Sequence, residues 1–169
     1  PFNLHDWIKN NRDLLKPPVG NYCLFQAAQN FIVMIVGGPN SRKDYHFNES
    51  EELYYQIEGN ILLKIMEDGD PRDIFINEGD MFLLPPNTPH SPQRGPNTVG
   101  LVIEKIREQE KDGFLWYCEN CGHKLYEEYQ LITNIVTQLP PVMEGFYSDE
   151  NKCTCSKCGT IMSRPIKRV

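Results

Sequence analysis

Hydrophobic and polar positions change period along the chain. Leu4, Trp7, Ile8, Leu14 and Leu15 share one helical face, so residues 4–16 predict a helix that Pro17-Pro18 stops. From about residue 21 the apolar runs become short and β-rich, covering 22–26, 31–36, 53–57, 61–66, 72–76, 81–84 and 99–106. Gly59-Asn60 and Asp68-Gly69 separate successive runs and predict hairpin turns. Many short strands with regular turn signals predict an all-β sandwich or small barrel. Residues 107–113, REQEKDG, read as a charged connector. Beyond it 114–118 and 124–131 look extended, and 132–139 reads as a helix ending before Pro140-Pro141. The expected division is a barrel with its N-terminal helix over 1–106, the connector over 107–113, and a C-terminal unit over 114–169.

Composition narrows the function class. The net charge of −6 argues against a broad nucleic-acid surface, and the basic stretch from Arg164 to Arg168 is too short to reverse that. No 18-residue apolar run predicts a membrane span, and the first residues lack the charged and apolar regions of a signal peptide. Of six cysteines, four fall in C-x-x-C pairs, which favours metal binding over disulfides and a reducing cytosol as the compartment.

Two spaced segments carry the candidate chemistry. The first runs from Gly38 through Arg42, Asp44 and His46 to Glu52 and Gly59; the second runs from Gly79 through Pro85 and Asn87 to His90 and Arg94. Side chains alternate along a strand, so Asp44 and His46 share one face while Tyr45 takes the other. Glu52 opens the next strand towards the same cavity, and Pro85, Pro86 and Pro89 stiffen the approach of His90. Two imidazoles and one carboxylate are the ligand set of a mononuclear Fe(II) site with positions left open for substrate and dioxygen. A lone histidine is more often solvated or hydrogen-bonded, and Glu51-Glu52 could be a solvated acidic run. Three matches inside two independent patterns favour the metal. Asp44 reads as the partner of an Arg or His rather than a fourth ligand, and His5 and His123 as structural or exposed.

Cys118-x-x-Cys121 and Cys155-x-x-Cys158 form a rubredoxin-like or zinc-ribbon-like knuckle with a structural role, able to hold Fe or Zn. Gly122 and Gly159 follow the two pairs as knuckle turns require. Cys153 is a possible substitute for Cys155, though the spacing favours Cys155; Cys23 reads as a buried strand residue.

The two segments resemble the paired motifs of the cupin superfamily, a double-stranded β-helix or jelly-roll barrel, with Asp44 standing where the first motif usually has its first His. More of the chain resembles the 3-hydroxyanthranilate 3,4-dioxygenase family: Leu14 to Asn21, Val36 through Tyr45-His46, Phe82 to Pro86, His90 to Arg94, Leu101 to Glu104, Trp116 to Cys118 and the last C-x-x-C. The knuckle is similar to the short bacterial and fungal members, which are homodimers. The resemblance implies a non-haem Fe(II) enzyme that opens 3-hydroxyanthranilate with O2 to 2-amino-3-carboxymuconate semialdehyde, on the kynurenine route to quinolinate and NAD. It implies His46, Glu52 and His90 as iron ligands, Arg42 and Arg94 on the substrate carboxylate, and Glu104 near its hydroxyl and amino groups. Asn21, Tyr54 and Pro92 would line the pocket.

These roles suit the residues. Guanidinium forks recognise carboxylates, and Arg42 and Arg94 share strand parity with His46 and His90. Glu104 ends an apolar strand, where a carboxylate is costly unless paired or used for proton transfer. The competing readings are another cupin Fe(II) dioxygenase, acting on a thiol or diketone, and a non-enzymatic ligand-binding cupin. The two arginines with Glu104 favour a small acidic aromatic substrate, and the intact ligand set favours an enzyme.

Overall fold

The computed structural model describes residues 1–17, 20–107, 109–132 and 135–166, with the backbone only at 135 and 136. Pro18, Val19, Glu108, Thr133, Asn134 and residues 167–169 lie outside the described residues, and with them part of the expected Pro17-Pro18 stop, the connector, the start of the 132–139 helix and the end of the basic tail.

Helix α1 (Leu4–Asn10) is capped by Asn3, whose side chain accepts the Asp6 N–H at 3.0 Å. It ends earlier than expected because the Asn11 amide donates back to the Trp7 carbonyl at 2.7 Å, and a 3-10 turn (Arg12–Leu15) replaces the last turns. Ile8 and Leu15 are buried against Ile35, Ile57 and Val99, whereas Leu14 turns outward.

The strands are β1 (Asn21–Cys23), β2 (Phe31–Gly37), β3 (Tyr45–Phe47), β4 (Glu52–Glu58), β5 (Ile61–Glu67), β6 (Asp70–Ile76), β7 (Met81–Leu84), β8 (His90–Arg94), β9 (Val99–Lys105), β10 (Asp112–Tyr117) and β11 (Lys124–Gln130). They form two antiparallel sheets, ordered β1-β2-β9-β4-β7 and β11-β10-β3-β8-β5-β6. Tyr54, Leu84 and Val102 of the first sheet meet Ile61, Leu63, Ile65 and Ile76 of the second in a shared core, the face-to-face arrangement of a β-barrel or sandwich. Asp68-Gly69 is the expected hairpin, with φ of 52° and 89° joining β5 to β6. Gly59-Asn60 is not a hairpin turn: β4 pairs with β7 and β9, and β5 with β6 and β8, so this turn passes the chain from one sheet to the other.

Period-2 alternation places the site. On β4, Glu52, Tyr54 and Gln56 are buried while Leu53 and Tyr55 are half-buried on the opposite face; on β9, Val102 and Glu104 are buried. The register sets Glu52 opposite Glu104, Tyr54 opposite Val102, and Gln56 opposite Gly100. Within the second sheet His90 pairs with Ile65 and Arg94 with Ile61.

The segment after residue 106 departs from the expected division. β10 pairs with β3, Phe114 opposite His46, so the second sheet continues through the end of the supposed connector and carries the barrel into the C-terminal unit. Helix α2 (Ile135–Tyr147) runs through Pro140 and Pro141 instead of stopping before them. Two adjacent prolines remove two helical N–H donors, but Val142 and Phe146, beyond them, are fully buried against Trp116, with Phe146 stacked on its ring at 4.3 Å. A short helix α3 (Glu150–Cys153), capped by Asp149, leads into the last cysteine pair.

Candidate active site

Three strands bring the expected ligands together. His46 on β3 lies directly opposite His90 on β8, and Glu52 at the start of β4 reaches between them from the other sheet. One ligand atom from each lies within 4.8 Å of the other two. His90 Nε2 is 3.3 Å and His46 Nδ1 3.6 Å from Glu52 Oε1. The opposite ring nitrogens are engaged, His90 Nδ1 with the Thr88 carbonyl at 2.9 Å and His46 Nε2 with Asp112 Oδ1 at 2.8 Å. Because a carbonyl only accepts, His90 Nδ1 carries the proton and Nε2 keeps its lone pair for a metal. Each imidazole is thus oriented from behind, as metal-ligating histidines are.

Glu52 is held by Asn48 Nδ2 at 2.6 Å and by the Tyr54 hydroxyl at 2.8 Å, which donates to it. Burial disfavours its charge, yet the His90 and His46 rings hold its carboxyl well below the usual range. Burial also works against charge on His46, but the bonds to Asp112 and Glu52 lift it to about 9. The site therefore stabilises positive charge at its centre. Two imidazoles and one carboxylate converging on one point fit Fe(II).

The arginines divide. Arg42 is ion-paired with buried Asp44, its Nε 3.3 Å from Oδ1, so Asp44 is the partner of an arginine. Arg94 is 1% exposed, and among the described residues no carboxylate pairs with it. Its Nη1 donates to Gln56 Oε1 at 3.4 Å, its buried Nε has no partner among the described residues, and burial presses its pKa down to about 10. Gly100 makes room for it, since a Cβ there would stand 2.9 Å from Nη1. Its backbone N–H donates to Asn40, whose amide also holds the Pro92 carbonyl.

Glu104, 8% exposed, takes an N–H from Arg107 at 2.8 Å; burial, then the nearby Glu52 charge, raise its pKa. Tyr54 is buried, with its ring 6.5 Å from that of His90. Asn21 belongs to a row running Asn21–Val36–Gly100–Gln56 across the first sheet, the row against which the Arg94 guanidinium packs. Pro92 lies between His90 and Arg94 on β8.

Sequence reasoning missed Asp112, Arg107, Asn48 and Asn40. Asp112 and Arg107 sit in a stretch whose charge runs read as solvated, and only the β3–β10 pairing reveals that they turn inward. The three residues between Asn48 and Glu52 offered no periodic signal for their hydrogen bond.

The second cluster holds Cys118, Cys121, Cys155 and Cys158, with sulfur pairs 3.6 Å apart. A disulfide requires about 2.05 Å, whereas tetrahedral ligation at about 2.3 Å places sulfurs about 3.8 Å apart. Both turns are knuckle turns, the N–H of Gly122 bonding the Cys118 carbonyl at 2.9 Å and that of Gly159 the Cys155 carbonyl at 2.8 Å. Cys153 is not an alternative ligand: its thiol donates to the Phe146 carbonyl at 3.3 Å inside the aromatic core. Cys23 is half-buried on β1, short of the full burial expected.

Residues 1–147 match the family model described as 3-hydroxyanthranilic acid dioxygenase. The chain is 52% identical over 166 residues to a 3-hydroxyanthranilate 3,4-dioxygenase of Xanthomonas oryzae pv. oryzae, covering 98% of this chain and 93% of that one. It is 47% identical over 164 residues to the protein of that name in Candida albicans, covering 96% and 95%. Among solved structures, a cupin-2 domain containing protein from Shewanella frigidimarina is similar at 15% identity and a TM-score of 0.47, over 63% of this chain and 94% of that one.

Proposed function

The chain belongs to the 3-hydroxyanthranilic acid dioxygenase family, and on that footing we propose a role for each group around the cavity. The protein is a ring-cleaving dioxygenase acting on 3-hydroxyanthranilate. By the same resemblance its product is 2-amino-3-carboxymuconate semialdehyde, which cyclises to quinolinate.

His46, Glu52 and His90 hold iron in this reading, with Asp112 and the Thr88 carbonyl orienting the rings and Asn48 and Tyr54 orienting the carboxylate. Fe(II) bound there supplies a Lewis acid that favours the phenolate and a route for electrons from ring to dioxygen. Arg94 receives the substrate carboxylate, which meets its unmatched charge and its free N–H. Arg42, steadied by Asp44, adds positive charge to the same wall. The carboxylate fixed at that end turns the hydroxyl and amino groups towards the iron ligands. Glu104 takes the hydroxyl proton, a task suited to a carboxyl whose affinity for protons is raised. Tyr54, Asn21 and Pro92 line the pocket, and the apolar wall around Val102 and Leu84 limits water.

One observation carries this assignment: a buried guanidinium, without a carboxylate partner among the described residues, stands on the strand of His90 and bonds Gln56 on the strand of Glu52, beside a two-histidine, one-carboxylate set. The test is anaerobic loading with Fe(II), then 3-hydroxyanthranilate and air, following oxygen uptake and absorbance of the ring-opened product. One O2 consumed per substrate supports the reading; no turnover by iron-loaded protein overturns it.

We further infer that the four cysteines hold a structural Fe or Zn, supported by sulfur spacing that fits tetrahedral ligation. Free cysteines throughout support a reducing cytosol, and no helix of the described residues is long and apolar enough to cross a membrane. The family resemblance supports a homodimer, and the exposed Phe31, Met81 and Leu83 of the first sheet offer an apolar surface for it; sedimentation of wild type against Leu83→Glu tests this.

A further inference from the structure

We propose that Arg107 is a positioning residue, one buried guanidinium that sets both the proton acceptor of the reaction and the orientation of an iron ligand. Its side chain is 8% exposed, and its two terminal nitrogens part: Nη1 donates to Glu104 Oε2 at 2.8 Å, and Nη2 to Asp112 Oδ1 at 2.7 Å. That Asp112 oxygen also meets His46 Nε2 at 2.8 Å. The hydroxyl of Ser50 anchors Nη1 from a third side at 3.0 Å. A continuous path of charge-assisted hydrogen bonds thus runs from His46 through Asp112 and Arg107 to Glu104.

An ion pair that only held the fold together would need one carboxylate. Here both carboxylates lie against the ligand set, Asp112 on the His46 ring and Glu104 opposite Glu52 on the neighbouring strand. Glu104 lies directly opposite Glu52 on adjacent strands, where like charges repel. Arg107 draws the Glu104 carboxylate to one side and fixes which oxygen remains free. Only a planar fork can serve two carboxylates in this way, since a lysine ammonium is a point charge on a flexible stem.

The inference rests on the reaction proposed above, and its test has an arm that does not. In Arg107→Gln, Co(II) titration of the metal-free protein reads the orientation of His46 without substrate, and steady-state kinetics of the Fe(II)-loaded protein read Glu104. Loss of a group behind a ligand lowers metal affinity or activity by about 10–100-fold. Affinity for Co(II) at the histidine site should fall about tenfold. kcat should fall about 10–100-fold with KM within about threefold, because the carboxylate-binding wall is untouched. In Glu104→Gln/Arg107→Gln at saturating Fe(II), which offsets the weaker metal binding, kcat should stay within about threefold of Glu104→Gln alone, because the rest of the effect of Arg107 on turnover passes through Glu104.

Unchanged Co(II) affinity and kcat, within about twofold, would overturn the proposal, as would losses that multiply in the double variant. If Arg107→Gln fails to fold by circular dichroism, Arg107→Lys carries the test: kcat should still drop about fivefold or more, and wild-type kcat would overturn it. Absence of turnover in the wild-type protein would sink the assigned reaction, while the Co(II) arm would still judge Arg107.

Discussion

Replacing Arg94 with Met should stabilise the substrate-free protein while destroying its affinity for substrate. The guanidinium is almost fully enclosed, and its pKa stands at about 10 against the ordinary 12.5. That difference corresponds to ~3 kcal/mol by which the fold disfavours the charge. The folded-state value lies below the unfolded one, so the penalty acts in full below pH 10 and fades as pH rises towards 12.5. Methionine removes the charge, at a cost of about 1 kcal/mol for the donor lost by Gln56 and about 1 kcal/mol for the space left behind. The charge penalty is the larger side of the balance, so Tm should rise, by about 2–4 °C for each kcal/mol gained in a chain of this size. Binding moves the other way. Two charge-assisted hydrogen bonds, about 1.5–3 kcal/mol each, are worth roughly 10²–10⁴ in Kd. Differential scanning calorimetry and anaerobic titration calorimetry of the Fe(II)-loaded protein measure the two sides. 2-Aminophenol, which lacks the carboxylate, should bind wild type and variant alike. An unchanged Kd for 3-hydroxyanthranilate, or an equal loss for 2-aminophenol, would refute the assignment.

Gly100→Ala should raise KM about tenfold with kcat nearly kept, because its Cβ would stand 2.9 Å from both Arg94 Nη1 and Gln56 Oε1 and displace the guanidinium; initial-rate kinetics check this. Phe146→Ala should lower stability by about 3–5 kcal/mol, losing the ring stacked on Trp116, with a Tm drop of at least ~6 °C in a melt followed by Trp fluorescence. Cys155→Ser should reduce metal content by one equivalent in elemental analysis and loosen the same aromatic cluster, leaving Fe(II) titration at the histidine site intact.

Much of the site was legible because strand parity is a hard constraint. His90, Pro92 and Arg94 occur at a spacing of two on β8 and must share a face there, whereas Arg42 and Asp44 pair in an irregular segment that ends where β3 begins, so strand parity did not govern them. The C-x-x-C pairs with their glycines were legible for a similar reason, since knuckle geometry is local. What escaped reading depends on partners distant in sequence. Gly59-Asn60 has hairpin composition, yet β4 finds its partners in β7 and β9. Residues 107–113 are charged as a solvated linker would be, yet Arg107 and Asp112 face inward once β10 docks on β3. Pro140 and Pro141 carry a local stop signal that burial of Val142 and Phe146 overrides.

Crystals of the Fe(II)-loaded protein, with anomalous differences collected on either side of the iron absorption edge, would test the central claim most directly. The account predicts an iron peak between His46 Nδ1, His90 Nε2 and the Glu52 carboxylate. Iron confined to the four cysteines, or bound away from those three side chains, would contradict it.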